Sequence, residues 1–116
     1  MLIEIIKSKI HRVKVTDADL NYVGSITIDS DLIDAANLIV GEKVQVVNVK
    51  DGERLETYVI EGEKASGEVT LNGPAARNVQ TGDIVIIISA AQINLEEARA
   101  FVPTIIFPDE NNTRLS

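Results

Sequence analysis

The run Val44-Gln45-Val46-Val47-Asn48-Val49-Lys50-Asp51-Gly52-Glu53-Arg54-Leu55-Glu56-Thr57-Tyr58-Val59-Ile60 consists of two β-rich segments around Lys50-Asp51-Gly52-Glu53. Asp-Gly between alternating apolar stretches is a strong hairpin signal, because such turns need positive φ and glycine adopts it without steric cost. Strands are therefore predicted over 44–49 and 54–60, paired antiparallel. Two more are predicted over 68–71 and 84–89. The second of these, Ile84-Val85-Ile86-Ile87-Ile88-Ser89, is apolar on both faces and is expected at the centre of a sheet.

Two short stretches carry helical signals instead. Ser30 is expected to cap a helix over 31–38, in which Leu32, Ile33 and Ala36 share a face; Asp31 and Asp34 lie near its positive end and Gly41 beyond its stop. Asn94 is expected to cap a second helix over 95–101, which Pro103 ends. Residues 108–116 are polar and read as a flexible tail. Many short strands with two small helices in 116 residues predict one mainly β domain, 1–116, closed or nearly closed into a barrel that hides its strand edges. Apolar faces left uncovered would be buried by self-association.

Hydrophobic residues make up 45% of the chain and aromatic ones only 3%, so the core must be built from Ile, Val, Leu and Ala. The chain has no cysteine, which excludes disulfides, thiolate nucleophiles and Cys-ligated metals and suits a reducing compartment. A single histidine argues against a His-based zinc site. A net charge of -7 with no basic block opposes nucleic acid and anionic lipid, so neither is expected as a partner. The apolar run over 84–88 is too short to span a bilayer, and Glu4 stands where a signal peptide is basic. A soluble, cytoplasmic protein is expected. Asp17, Asp19, Asp29, Asp31 and Asp34 lack the spacing of a calcium loop and read as turn, cap and surface residues, so no metal is expected. There is no phosphate-binding glycine loop, dinucleotide fingerprint or Gly-x-Ser-x-Gly elbow.

The chemically suggestive feature is Gly24-Ser25 within Leu20-Asn21-Tyr22-Val23-Gly24-Ser25-Ile26-Thr27-Ile28. Glycine inside a strand-like run marks a bend or a close backbone approach. A serine hydroxyl directly after it is placed to attack the preceding carbonyl, so a self-cleaving peptide bond is one reading and a simple bulge or turn the other. Gly24 is expected to permit unusual dihedrals at the attacked carbonyl. Lys9-Ile10-His11-Arg12, Arg54, Thr57-Tyr58 and Asn72-Gly73-Pro74-Ala75-Ala76-Arg77 accompany it. Taken singly, each has an ordinary reading: Tyr58 a half-buried strand aromatic, Arg54 a surface ion-pair member, Lys9 a solvated charge, Asn72-Gly73-Pro74 a turn entering a helix.

Taken together, these motifs resemble the aspartate decarboxylase family of pyruvoyl-dependent enzymes. The resemblance runs from Lys7-Ser8-Lys9-Ile10-His11-Arg12-Val13 through Asn21-Tyr22-Val23-Gly24-Ser25-Ile26-Thr27-Ile28-Asp29, Gly52-Glu53-Arg54, Thr57-Tyr58 and Asn72-Gly73 to Gly82-Asp83-Ile84-Val85-Ile86. It implies a double-psi β-barrel, a homotetramer with sites between subunits, and a proenzyme cut between Gly24 and Ser25, in some relatives with the help of a maturation factor. Ser25 would become the pyruvoyl group, the only cofactor, with neither metal nor pyridoxal phosphate. That group would form a Schiff base with L-aspartate and accept the electrons released as carbon dioxide leaves. β-Alanine for pantothenate biosynthesis would be the product.

The resemblance further implies Tyr58 as proton donor, and Thr57 and Asn72 as support for chain cleavage and its oxyanion. Arg54, Lys9, His11, Thr57, Gly73, Pro74 and Ala75 would surround the substrate, with Arg54 gripping a carboxylate through two parallel N–H bonds. Pro74 departs from the family's expected alanine. It has no N–H, which leaves the amides of Gly73 and Ala75 to meet an anion at this helical turn. Two other readings compete: a non-catalytic barrel that binds a small anion or partner through the same basic residues, and the same chemistry on another acidic amino acid.

Overall fold

The computed structural model describes residues 1–20 and 24–113. Its backbone is built mainly of strands, β1 (Leu2–Lys14), β2 (Asp17–Asp19), β3 (Ser25–Asp29), β4 (Lys43–Asn48), β5 (Arg54–Gly62), β6 (Val69–Asn72), β7 (Ile84–Asn94) and β8 (Thr104–Ile106), with helices α1 (Ser30–Ala35) and α2 (Leu95–Ala100) and a 3₁₀ turn over Gly73–Asn78. The strands follow the order β2-β6-β3-β5-β4-β7-β1-β8. The predicted hairpin is β4–β5, antiparallel, with Val44 opposite Thr57 and Val46 opposite Leu55. Gly52 at its turn has φ +75°, as an Asp-Gly connection requires.

β7 is central, as its apolar faces predict, but it continues to Asn94 and pairs with both β4 and β1. β1 is bent by register shifts between Ile6 and Ser8 and between Ile10 and Val13, and Arg12 at the second shift has φ +68°. Beyond the bend the chain crosses from the β7 side to the β6 side. Val15 donates to Asp83 O at 2.8 Å and Thr16 to Val69 O at 2.8 Å, and β2 then pairs with β6. This crossing links distant parts of the strand order around one aliphatic core that includes Ile10, Ile26, Ile28, Val59, Leu71 and Ile87.

The capping residue of α1 is Asp29, where the sequence predicts Ser30. Asp29 Oδ1 accepts from Asp31 N at 2.8 Å. The same carboxylate also accepts from Ala65 N at 3.0 Å and Gly67 N at 2.8 Å. β3 delivers this side chain to the point where the 63–67 loop returns, so one acid closes both helix and loop. α1 ends at Ala35, short of the predicted Leu38. Leu38 is buried and its N–H donates to Ile33 O at 2.9 Å, closing the wider turn that follows the helix. The second helix is capped as predicted, Asn94 Oδ1 accepting from Glu96 N at 2.9 Å.

The expected flexible tail also needs correction, as far as residue 113. Asn112 is buried; its Nδ2 donates to Lys14 O at 2.7 Å and Gly67 O at 3.0 Å, and its Oδ1 accepts from Lys14 N at 2.9 Å. Asp109 Oδ1 accepts from Asn111 N and Thr113 N, both at 3.0 Å. Polar composition here supplies an anchor, because an asparagine can satisfy three backbone groups that would otherwise be buried unpaired. Residues 114–116 of the expected tail lie outside the described residues.

Two surface acids are held ionised by their surroundings. Burial by itself would raise the Glu42 carboxyl, but hydrogen bonds from Ser89, Lys7 and Ile39 N, with the Lys7 charge at 3.1 Å, outweigh it and lower the carboxyl below its usual range. Asp83 is lowered by the Gln80 N–H and the Asn48 amide, aided by Lys50, against the opposing effect of burial. Among the described residues no helix is long and apolar enough to cross a membrane.

Candidate active site

Alternation along β3 turns Ile26 and Ile28 into the core and presents Ser25, Thr27 and Asp29 on the opposite face. β6 runs antiparallel beside it, with Asn72 opposite Ser25. The pairing brings together two predicted site residues: Asn72 Nδ2 donates to Ser25 Oγ at 2.9 Å, and both side chains are buried. The same nitrogen donates to Thr27 Oγ1 at 2.9 Å. Both amide hydrogens are thereby spent on hydroxyl oxygens, which fixes the amide plane. Thr27 is absent from the set read from the sequence, although its place two residues after Ser25 on a strand was signal enough to find it.

On the other flank β5 runs parallel to β3, with Val59 beside Ile26 and Ile60 beside Thr27. Extending that register toward the strand starts sets Tyr58 beside Ser25 and Thr57 beside Gly24. Tyr58 is 55% exposed, so its phenol is open to a ligand, whereas Thr57 is buried. Asn72 also opens the 3₁₀ turn; Gly73 takes φ +65° and Pro74 occupies the first turn. Proline there completes the turn without an orphaned N–H, and Pro74 Cδ lies 3.7 Å from where a Cβ on Gly24 would stand.

Gly24 lies outside the positive-φ region, and an added Cβ would make only ordinary contact with Pro74. The glycine whose conformation an L side chain resists is Gly73. Asn21, Tyr22 and Val23, part of the recognised motif, lie outside the described residues, as does the side chain of Ala75.

None of the three basic residues lies on β3 or beside Ser25 in a strand register. Arg54 begins β5, four residues before Tyr58, roughly 13 Å along an extended strand. Its Nη1 donates to Gln45 Oε1 at 2.9 Å, and with Lys43, Glu56, Glu4, Ile6 and other residues it borders an open depression of about 410 Å³. Lys9 and His11 lie on β1, which β5, β4 and β7 separate from β3 in the strand order. The His11 ring meets Phe107 edge-on, with centroids 5.5 Å apart. Desolvation, and then the charges of Lys9 and Arg12, push His11 below its ordinary value. Neither Gln45 nor Phe107 carried a sequence signal for these contacts. No group of three or more His, Cys, Asp or Glu able to hold a metal occurs among the described residues.

A buried serine hydroxyl held by an amide, a preceding glycine and a neighbouring phenol suit acyl transfer within the chain followed by chemistry on a small amine. Comparison with known proteins agrees in fold and family. The sequence model of the family described as aspartate decarboxylase matches residues 1–115. The chain is 63% identical over 112 residues to the aspartate 1-decarboxylase of Cytophaga hutchinsonii, covering 97% of each chain. It is 60% identical over 115 residues to the aspartate 1-decarboxylase of Parabacteroides distasonis, covering 99% of each. Among solved structures, a rationally designed double-psi β-barrel matches with a TM-score of 0.52 at 22% identity, over 72% of this chain and 91% of that one. That likeness shows the fold to be the double-psi β-barrel.

Proposed function

The chain belongs to the aspartate decarboxylase family, and on that premise we propose that it cuts itself between Gly24 and Ser25 and then converts L-aspartate to β-alanine and carbon dioxide, as a carboxy-lyase supplying pantothenate biosynthesis. The observation that carries this reading is the hydrogen bond from Asn72 Nδ2 to the buried Ser25 Oγ, 2.9 Å long. It holds the hydroxyl oxygen at a defined place beside the bond to be cut.

Ser25 Oγ adds to the Gly24 carbonyl carbon, the carbon–nitrogen bond breaks, and the hydroxyl proton passes to the released amine, leaving an ester. Thr57, beside Gly24 in register, and Asn72 support this step. Loss of the Ser25 α-proton then expels the Gly24 carboxylate, and water replaces the resulting enamine nitrogen, which leaves as ammonia. The residues present fit the pyruvoyl group made this way: Ser25 is its source, and its neighbours Asn72 and Tyr58 offer an amide donor and a phenol. Its carbonyl supplies the electron sink for loss of carbon dioxide. Tyr58, exposed beside Ser25, delivers the proton to the former α-carbon.

The amides of Gly73 and Ala75 and the cations of Arg54, Lys9 and His11 bind the two substrate carboxylates. Since none of those cations lies beside Ser25 in a strand register, a second copy completes the site, and a homotetramer supplies the symmetry. Ile6, Tyr58 and Ile105, each exposed by more than 40% in the single chain, offer apolar surface to such contacts. The cut leaves the barrel whole, because β1 remains paired with β7 and β8 and β2 with β6. The absence of cysteine suits work in the cytoplasm, where an accessory maturation protein can act on the intact chain.

The test is the denatured mass of freshly purified protein beside Ser25→Ala. The wild type is expected as fragments 1–24 and 25–116, the larger one lighter by one ammonia than hydrolysis alone would leave. It forms β-alanine from aspartate in preference to the corresponding product from glutamate. Ser25→Ala stays intact and inactive. Processed, active Ser25→Ala would overturn the mechanism, and a wild type that stays intact but binds aspartate would indicate a binding barrel.

A further inference from the structure

We propose that Thr27 is a positioning residue for chain cleavage: its hydroxyl holds the Asn72 amide against Ser25 Oγ, and Gly62 sets the rotamer that lets it do so. The inference rests on the reading that the chain cuts itself at Gly24–Ser25. An asparagine side chain turns freely about its last bond, which has broad minima. One hydrogen bond to Ser25 would leave its tilt loosely defined. The second, from the same nitrogen to Thr27 Oγ1 at 2.9 Å, makes the amide a two-point clamp. With its nitrogen toward β3 the amide donates to both hydroxyls at once, so Thr27 fixes the tilt at which Nδ2 meets the nucleophile.

Thr27 is itself held. As a β-branched residue on a strand it has few χ1 choices. Its Cγ2 lies 3.1 Å from the place a Cβ on Gly62 would take, with Ile28 O also at 3.1 Å and Glu68 Oε1 at 3.0 Å. Gly62 has no positive φ; it is glycine for want of room. The Thr27 methyl fills the space above Gly62, and that seating leaves the hydroxyl directed to Asn72. Gly62, Thr27, Asn72 and Ser25 thus form one line of contacts across β5, β3 and β6, ending at the attacking oxygen.

The experiment follows the fraction of cut chain with time by denatured mass in wild type, Thr27→Val, Thr27→Ser, Asn72→Ala and the double variant Thr27→Val/Asn72→Ala. Thr27→Val keeps the shape and removes the hydroxyl. It is expected to slow cleavage about tenfold or more, the scale of a lost orienting contact. Thr27→Ser, which keeps the hydroxyl but loses the methyl seated over Gly62, is expected to cleave more slowly than wild type and faster than Thr27→Val. Because Thr27 acts through Asn72, Thr27→Val adds no further slowing once Asn72 is alanine. Cleavage of Thr27→Val at the wild-type rate, or equal slowing in both backgrounds, would overturn the inference while the cleavage reading stands. A wild type that stays uncut overturns both. Should Thr27→Val be insoluble, Thr27→Ala is measured in its place with the same outcomes, its fold checked by circular dichroism.

Discussion

Replacing Asn112 by alanine should cost this small barrel a large share of its stability. The side chain makes three hydrogen bonds, with Lys14 N, Lys14 O and Gly67 O. Each backbone group left without a partner costs on the order of 1 kcal/mol, even where water reaches part of the site. Asn112 also has φ +60°, a conformation that asparagine tolerates and alanine resists by roughly 1 kcal/mol. The sum for Asn112→Ala is about 3 to 4 kcal/mol, against a total of about 5 to 15 for a typical domain. At roughly 4 °C per kcal/mol the melting temperature would fall by about 12 to 16 °C. Asn112→Gly loses the same bonds without the φ penalty and should be milder by about 0.5 kcal/mol, after its greater freedom when unfolded is counted. Urea unfolding of both variants, in the Ser25→Ala background and at one chain concentration, reads these values without mixing cut and uncut species. A loss below about 1 kcal/mol for Asn112→Ala, or a truncation after Pro108 that leaves stability unchanged, would refute the anchoring role given to this residue.

His11 is the sole histidine, so its proton NMR titration needs no assignment, and its midpoint is expected below the ordinary 6.5 because of burial and then Lys9 and Arg12. The unfolded chain then binds more protons between the two values: His11's contribution to stability is complete above 6.5 and is lost as pH falls toward the folded midpoint. Lys9→Met should move the midpoint up, and an unmoved midpoint would remove Lys9 as a cause. Gly24→Ala should melt within about 1 kcal/mol of the parent, whereas Gly73→Ala, forced to φ +65°, should lose more than that. Equal losses measured by urea unfolding would contradict the backbone geometry at one of the two positions.

The β4–β5 hairpin and central β7 were legible because alternation and an Asp-Gly turn act locally. β1, thirteen residues long, was not. Its two register shifts and its mixture of Lys, Ser, His and Arg break the period on which strand reading depends. At the start of α1 both Asp29 and Ser30 can cap; which one does depends on the 63–67 loop packing against β3, a tertiary fact. The Asn112 anchor was hidden for a related reason, since composition does not distinguish a polar residue in solvent from one buried on backbone groups. Around Ser25, the resemblance identified Asn72, and strand alternation alone could have added Thr27. That Lys9 and His11 sit on a strand not paired with β3 was invisible, because motif spacing does not say which strands become neighbours.

The donor to the Ser25 hydroxyl lies 47 residues further along the chain. A nascent chain that has emerged only past β3 has a serine and a glycine but no amide to set them. On the proposed reading, cleavage would wait for β6 to be made and paired, so that the barrel would inspect itself before an irreversible cut. Chains that misfold would then keep their peptide bond and could be unfolded and tried again, while a completed cut would certify that two distant strands had met in register.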